Sequence, residues 1–211
     1  LRAGLTGIAV ATAIVAGIGW RSGDIPRPPL QPRPAAFSIW GVIYVCLGAT
    51  VVALTRRSWA QADAFAGLLG ASLLASAAWL WLVTRSRGAS AASIVVAAAC
   101  ALLAVAMRRV EDPRDAWGWA LAVGPGLLAG WLAVASVLGV LLGTGATRAS
   151  PAWLLLPGAV VVAVSMYSRN PVPALVLLWA ALYSEPSAAA VLGTASAIGT
   201  VGSIALLVQA R

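Results

Sequence analysis

The sequence predicts an all-α, polytopic transmembrane helix bundle of seven or eight spans, and three observations carry that expectation. The first is composition: 61% of the residues are hydrophobic and only 9% are charged. With a mean hydropathy of +0.93, the chain lies far outside the range of soluble domains. The second is a series of apolar runs, roughly 3–20, 36–55, 64–84, 89–107, 117–142, 152–167, 172–184 and 187–208. Crossing about 30 Å of hydrocarbon takes about twenty such residues, fewer where neighbours thin the bilayer. The third is the placement of charge, which falls between the runs and leaves their interiors uncharged, apart from Arg2 at the edge of the first. A net charge of +8 would suggest nucleic acid in a soluble protein. Here the arginines occupy short connections, where they serve topology and lipid headgroups. The expected partner is the lipid bilayer and not nucleic acid.

The first run is followed by Arg21–Ala35, which holds Pro26, Pro28, Pro29, Pro32 and Pro34. Such a segment is extended or polyproline-like and is expected to fold over one mouth of the bundle. The connection from Arg108 to Asp115 mixes Arg108, Arg109 and Arg114 with Glu111, Asp112 and Asp115, as a solvated turn does. The sixth and seventh runs are short and flank Ser168-Arg169-Asn170-Pro171, either a tight turn between two spans or an interruption within one bent element. If the loops alternate across the membrane, eight of the 14 basic residues, all arginine, fall on one side, among them Arg2, Arg56, Arg57, Arg108 and Arg109. That bias predicts both termini on the cytoplasm-equivalent side. Because the first residue is Leu1 and not Met, a preceding segment, cleaved or trimmed, is expected.

Cys46 and Cys100 sit inside apolar runs, where a free thiol behaves as a small hydrophobe. Trp20, Trp59, Trp117, Trp119 and Trp153 lie near run ends, the position of an interfacial belt. Trp40, Trp79, Trp81 and Trp131 are placed deeper. Read as one helix, Phe37, Trp40 and Tyr44 fall at i, i+3 and i+7 and share a face, which is a binding wall or a packing seam. Gly126-xxx-Gly130, Gly139-xxx-Gly143 and Gly193-xxx-Ala197 are small-residue faces that let helices approach closely, within the bundle or at a homodimer or partner interface.

The segment Phe37-Ser38-Ile39-Trp40-Gly41-Val42-Ile43-Tyr44, following a proline-rich loop, resembles the tryptophan-rich sensory protein and translocator protein family (TspO/MBR). Ala77-Ala78-Trp79-Leu80-Trp81 resembles the end of that family's third helix, and Gly130-Trp131-Leu132-Ala133-Val134-Ala135-Ser136 its fifth. The resemblance implies a TspO-like five-helix membrane domain over 1–143, with about three additional helices over 144–211 packed on it. It also implies a hydrophobic ligand (a porphyrin or other tetrapyrrole, a sterol, a carotenoid or another lipid) in a pocket roofed by the first loop. Carried over residue by residue, the wall comprises Phe37, Trp40, Tyr44, Trp79, Trp81 and Trp131. The chain departs from the family at Ala77 and Ala78, where an Asn usually precedes the third-helix Trp. It departs again at Gly139, where an Asn stands late in the fifth helix, and at Pro125-Gly126, where a Pro-Tyr pair is usual.

Catalysis needs a nucleophile, an acid or base, or a metal, and the spans offer only hydroxyls, two thiols and three tyrosines. No enzyme is expected. Without any histidine there is no imidazole for haem, chlorophyll, zinc or copper, so no metal site is expected and a macrocycle would be held by stacking. Ion-coupled pumping normally uses ionisable groups within the membrane, which the runs lack. Two readings follow: a non-catalytic receptor for a hydrophobic ligand, or an accessory subunit of a larger membrane complex that has lost the polar anchors.

Overall fold

The computed structural model describes residues 2–18, 28–110 and 115–209, with side chains in the first segment up to Ile14. Trp20, Arg21, Pro26, Arg27, Glu111, Asp112 and Arg114, which figure in the expectations above, lie outside the described residues. Eight helices appear among them: α1 (Arg2–Ile18), α2 (Ile39–Arg56), α3 (Ala62–Leu82), α4 (Arg87–Met107), α5 (Ala116–Thr144), α6 (Leu155–Ser168), α7 (Val172–Leu182) and α8 (Pro186–Gln209). Short 3-10 turns at Pro34–Ser38 and Pro151–Leu154 lead into α2 and α6. Six helices, including those two with their turns, are long and apolar enough to cross a membrane. The helix α7, at 11 residues, is only roughly 16 Å long and cannot span alone.

Helix packing runs α1–α2–α5–α4–α3 and returns to α1, a closed five-helix ring. The other three helices lie outside it: α7 packs on α5 and α8, and α6 on α8, α4 and α5. The helix α5 is therefore the wall shared by ring and outer layer. Its apolar window is 67% buried, against 28–39% for the other long helices, as expected of a helix apolar on all sides.

In lipid there is little hydrophobic drive between helices, so close backbone approach and dispersion decide which faces meet. Small residues on α5 form three seams. A Cβ on Gly124 would lie 2.6 Å from Thr50 Oγ1 and 2.9 Å from the Cys46 backbone of α2. Gly126 and Gly130 abut Val172, Pro173 and Val176 of α7, and Gly139 and Gly143 abut Ile94, Ala91 and the Arg87 carbonyl of α4. All four glycines singled out on α5 thus face helices of the same chain. On α8, Gly193 has nothing near it, and the close approach is made by Gly199 against Ala174 and Val162.

No charged residue is buried among the described residues; the buried polar side chains are Ser, Thr and Asn170. Hydroxyls link neighbouring helices: Ser72 donates to the Ala97 carbonyl at 2.7 Å and Ser93 to that of Ala75 at 2.7 Å, tying α3 to α4 in both directions. Pro125 lies inside α5 and cannot donate to the Leu121 carbonyl one turn back. Side chains from outside the helix donate beside this interruption, as membrane helices with proline require. Thr50 Oγ1 donates to the Ala120 carbonyl at 2.8 Å, and Asn170 Nδ2 to that of Ala122 at 3.0 Å.

Asn170 also decides the question posed by the two short runs. The segment is a tight turn between two helices. Arg169 takes a left-handed conformation (φ 54°) that closes α6, so that the Asn170 amide bonds back to the Ser165 carbonyl at 3.0 Å, a common helix stop. Asn170 Oδ1 then accepts from the Val172 amide at 3.1 Å, meeting the first free amide of α7. Left-handed backbone suits glycine better than arginine. Arg169→Gly is therefore expected to raise stability slightly, by about 0.5–1 kcal/mol, measurable as a higher apparent Tm in detergent; a decrease would show that the Arg169 side chain contributes more than its backbone costs.

The basic residues segregate by end. Arg2 sits 3.8 Å from Asp63, Arg57 lies 2.8 Å from Asp115, and the Val110 amide donates to the Ser168 carbonyl. The start of α1, the end of α2, the start of α3, the end of α4, the start of α5 and the end of α6 thus share one end, which carries Arg56, Arg108, Arg109 and Arg169 as well. Arg33, Arg85, Arg87 and Arg148 belong to the opposite end, with the first loop.

Candidate ligand site

The described part of the proline-rich loop is lowered into the bundle at the end where α7 stops short. The Arg33 amide donates to the Tyr183 carbonyl at 2.8 Å, and Trp179 Nε1 donates to the Ala36 carbonyl at 2.9 Å. Backbone of this irregular kind is stable at depth only when protein groups meet its polar atoms, and α7 supplies both bonds. Trp179 on α7 and Tyr183, the residue that closes this helix, lie four residues apart, with ring centroids 5.1 Å apart. Pro32 and Ala36 are buried beneath the turn.

Phe37 projects from this turn onto Trp131, near the middle of α5, edge to face with centroids 5.3 Å apart and planes at 85°. Trp131 is 2% exposed, so the loop contact reaches a fully buried side chain of the shared helix α5. Trp40 stacks on Tyr44 at 5.4 Å and 27°, and Tyr44 OH donates to the Ala13 carbonyl of α1 at 3.3 Å.

The sequence placed Phe37, Trp40 and Tyr44 on one helical face, and the structure distributes them over two neighbours. Phe37 belongs to the 3-10 turn, which α2 follows only from Ile39. With three residues per turn and not 3.6, the phase of Phe37 is offset from that of the rings that follow. Gly41 and Gly48 have nothing near them and face outward.

Trp79 is half-buried, with Nε1 3.7 Å from the position a Cβ on Gly139 would take, at the seam of α3, α4 and α5. Trp81, expected to lie deep, is 59% exposed at the end of α3, with the Arg85 guanidinium 4.2 Å over its ring. Two positions along a helix is a rotation of roughly 200°, so Trp79 and Trp81 cannot both face inward. Trp81 with Arg85 has the character of an interfacial anchor.

The arrangement brings together Phe37, Trp131, Trp179 and Tyr183 around the roof, with Trp40 and Tyr44 one helix away. Sequence reasoning missed Trp179 and Tyr183 as site residues. The available signal was their spacing, which repeats the Trp40-xxx-Tyr44 interval within another apolar run. With no buried charge, the site offers aromatic faces, carbonyls and hydroxyls, which suit stacking and dispersion contacts with a flat apolar ligand.

A five-helix ring of apolar helices with an uncharged interior, extended by further apolar helices, defines a multi-pass integral membrane protein. Within that class the family is shown directly: the TSPO-like protein family model matches residues 21–208, and the chain belongs to that family. No curated protein and no solved structure matches it.

Proposed function

We propose that this TSPO-like membrane protein is a non-catalytic receptor for a flat hydrophobic ligand, a porphyrin, sterol or other lipid, held against the aromatic residues under the first loop. The observation that carries this reading is the lowering of Pro34–Ser38 onto the buried Trp131 through Phe37, with the turn's backbone pinned by Trp179. A roof anchored at single hydrogen bonds can be displaced by a ligand of comparable surface without opening the ring. Titrating the purified protein with a porphyrin at micromolar concentrations is expected to quench tryptophan fluorescence. Trp131→Ala and Trp40→Ala are expected to weaken that quenching. Absence of quenching in the intact protein would overturn the reading.

A second reading, an accessory subunit packing against other membrane chains, is favoured by one observation. Gly41 and Gly48 on α2 present an outward strip with no neighbour, beside Val42 and Val45 at 55% and 76% exposure, a surface suited to close helix approach. A stable, lone monomer after purification in mild detergent would overturn it.

A further inference from the structure

At the end opposite the first loop, the α2–α3 connection, the end of α4 and the end of α6 enclose a cavity of about 640 Å³ that opens outward. Its polar lining consists of Trp59, Gln61, Arg108, Arg109 and Tyr167, and no acidic residue lines it among the described residues. The two arginines are held by aromatic rings: Arg109 lies 4.2 Å over Tyr167, and Arg108 lies 5.7 Å from the centroid of Trp59. Arg108 Nη1 donates to the Arg109 carbonyl at 3.2 Å, which fixes the guanidinium further.

Two N–H donors here are buried without a hydrogen-bond partner, Trp59 Nε1 and Arg108 Nε. Buried donors are almost always satisfied, and leaving one unmet is costly. The described carboxylates near this end are engaged elsewhere, Asp63 with Arg2 and Asp115 with Arg57. Leu103, 55% exposed, and Met107 continue the lining along α4 as an apolar strip.

We propose that this cavity is a binding site for the phosphate headgroup of an anionic phospholipid. A phosphodiester supplies negative charge and acceptor oxygens to the paired guanidiniums of Arg108 and Arg109, whose fork geometry suits it. The α4 strip receives an acyl chain. Trp59 and Tyr167 stand at the level where amphipathic rings meet headgroups. A soluble phosphate would have no use for the apolar strip, and this distinction selects a lipid over a free anion. The site lies at the other end of the bundle from the proposed hydrophobic-ligand site and does not depend on it.

The test is lipid titration of the intact purified protein in mild detergent, read by native mass spectrometry. Phosphatidylglycerol is expected to bind roughly thirtyfold more tightly than phosphatidylcholine, the size expected for two arginines near one anionic headgroup. The double variant Arg108→Gln/Arg109→Gln should lose this preference. The double variant Arg56→Gln/Arg169→Gln, with arginines of the same end outside the cavity, should keep it. Equal loss in both double variants would reduce the effect to the general charge of this end and overturn the site. Displacement of the lipid by millimolar glycerol 3-phosphate would make it a soluble-anion site and overturn the lipid assignment. Preference that emerges only in Glu111→Gln/Asp112→Asn would assign the arginines to the chain's own loop and overturn the proposal. A preference confined to the native chain and the Arg56/Arg169 variant, insensitive to glycerol 3-phosphate, establishes it.

Discussion

Replacing Gly130 with alanine is expected to lower the apparent Tm of the purified protein by roughly 5–10 °C, the largest fall among single glycine-to-alanine changes at the described glycines. A Cβ at this position would collide with the Pro173 carbonyl oxygen and lie 2.8 Å from Val176 Cβ. The first obstacle is backbone, so no rotamer change relieves it, and α7 must move away from α5. Overpacking of this kind costs about 1–3 kcal/mol, occasionally more. The loss is sharper in a membrane bundle, where dispersion across the closest contacts supplies much of the helix association. Gly193→Ala on α8 is the control, since nothing lies within 4 Å of its Cβ position. Thermal unfolding in the same detergent compares the two. Equal stability of the Gly130 and Gly193 variants would show that α7 does not seat on α5 as described. The displacement should also loosen the first loop, because α7 carries both Trp179 and Tyr183, the residues that hold Arg33 and Ala36.

Asn170→Leu is expected to cost about 2 kcal/mol, large for one exposed-looking loop position in the sequence. Asn170 is 1% exposed, and its amide performs two tasks, donating to the Ala122 carbonyl and accepting from the Val172 amide. Leucine fills similar space but leaves the Val172 amide unmet and removes the bond from α6–α7 to the Ala122 carbonyl of α5. Interhelical hydrogen bonds in membranes average under 1 kcal/mol, because the dissociated helices find other partners. The effect here is placed above that average because the bonds to the first free amide of α7 and to a carbonyl beside a proline are lost together. Asn170→Ser, which keeps an acceptor for the Val172 amide, should recover part of the loss. Hydrogen exchange at Val172 reads the first of these directly: faster exchange in the leucine variant and intermediate exchange in the serine variant are expected. A leucine variant as stable as the parent, with unchanged exchange, would remove Asn170 from its role as the joint between α5, α6 and α7.

Both predictions concern α5, and this helix shows how far the sequence could be read. Its run at 117–142 was visible as apolar, and its small-residue faces were visible as packing surfaces. The spacing of Gly126-xxx-Gly130 and Gly139-xxx-Gly143 did not say which neighbour each would meet. Nor did it reveal Gly124, which fits no such spacing with them and yet sets the approach of Thr50 and Cys46. The Gly193-xxx-Ala197 face has the same pattern and opens outward, so pattern alone does not distinguish an internal seam from a free surface.

The aromatic residues divide similarly. Phe37 and Trp131 were both legible as candidates, but their meeting depends on a 3-10 turn whose phase differs from that of the helix after it. Trp81 was drawn inward with Trp79 by its position in an apolar run, and helical rotation separates them. Trp179 and Tyr183 were not placed at the site, because the run at 172–184, counted as one more span, carries no signal of what its rings meet. Their role arises only because the loop descends to the level where that short helix ends.

The sequence by itself determined the class of this protein: a glycine- and alanine-rich chain of helical runs with uncharged interiors belongs in a bilayer, because nothing else buries so much apolar surface over this length. It also determined the segregation of arginine to the connections and the identity of the loop that covers the aromatic residues. Only the tertiary structure decided that α5 is the common wall of ring and outer layer, and that Asn170 joins three helices. It alone brought Arg108 and Arg109 after α4, Trp59 between α2 and α3, and Tyr167 at the end of α6 together from stretches far apart in sequence. The physical reason is that burial in lipid is set by composition, which is local. The pairing of helix faces is set by close packing and by the placement of the few polar groups, and these depend on residues tens of positions apart.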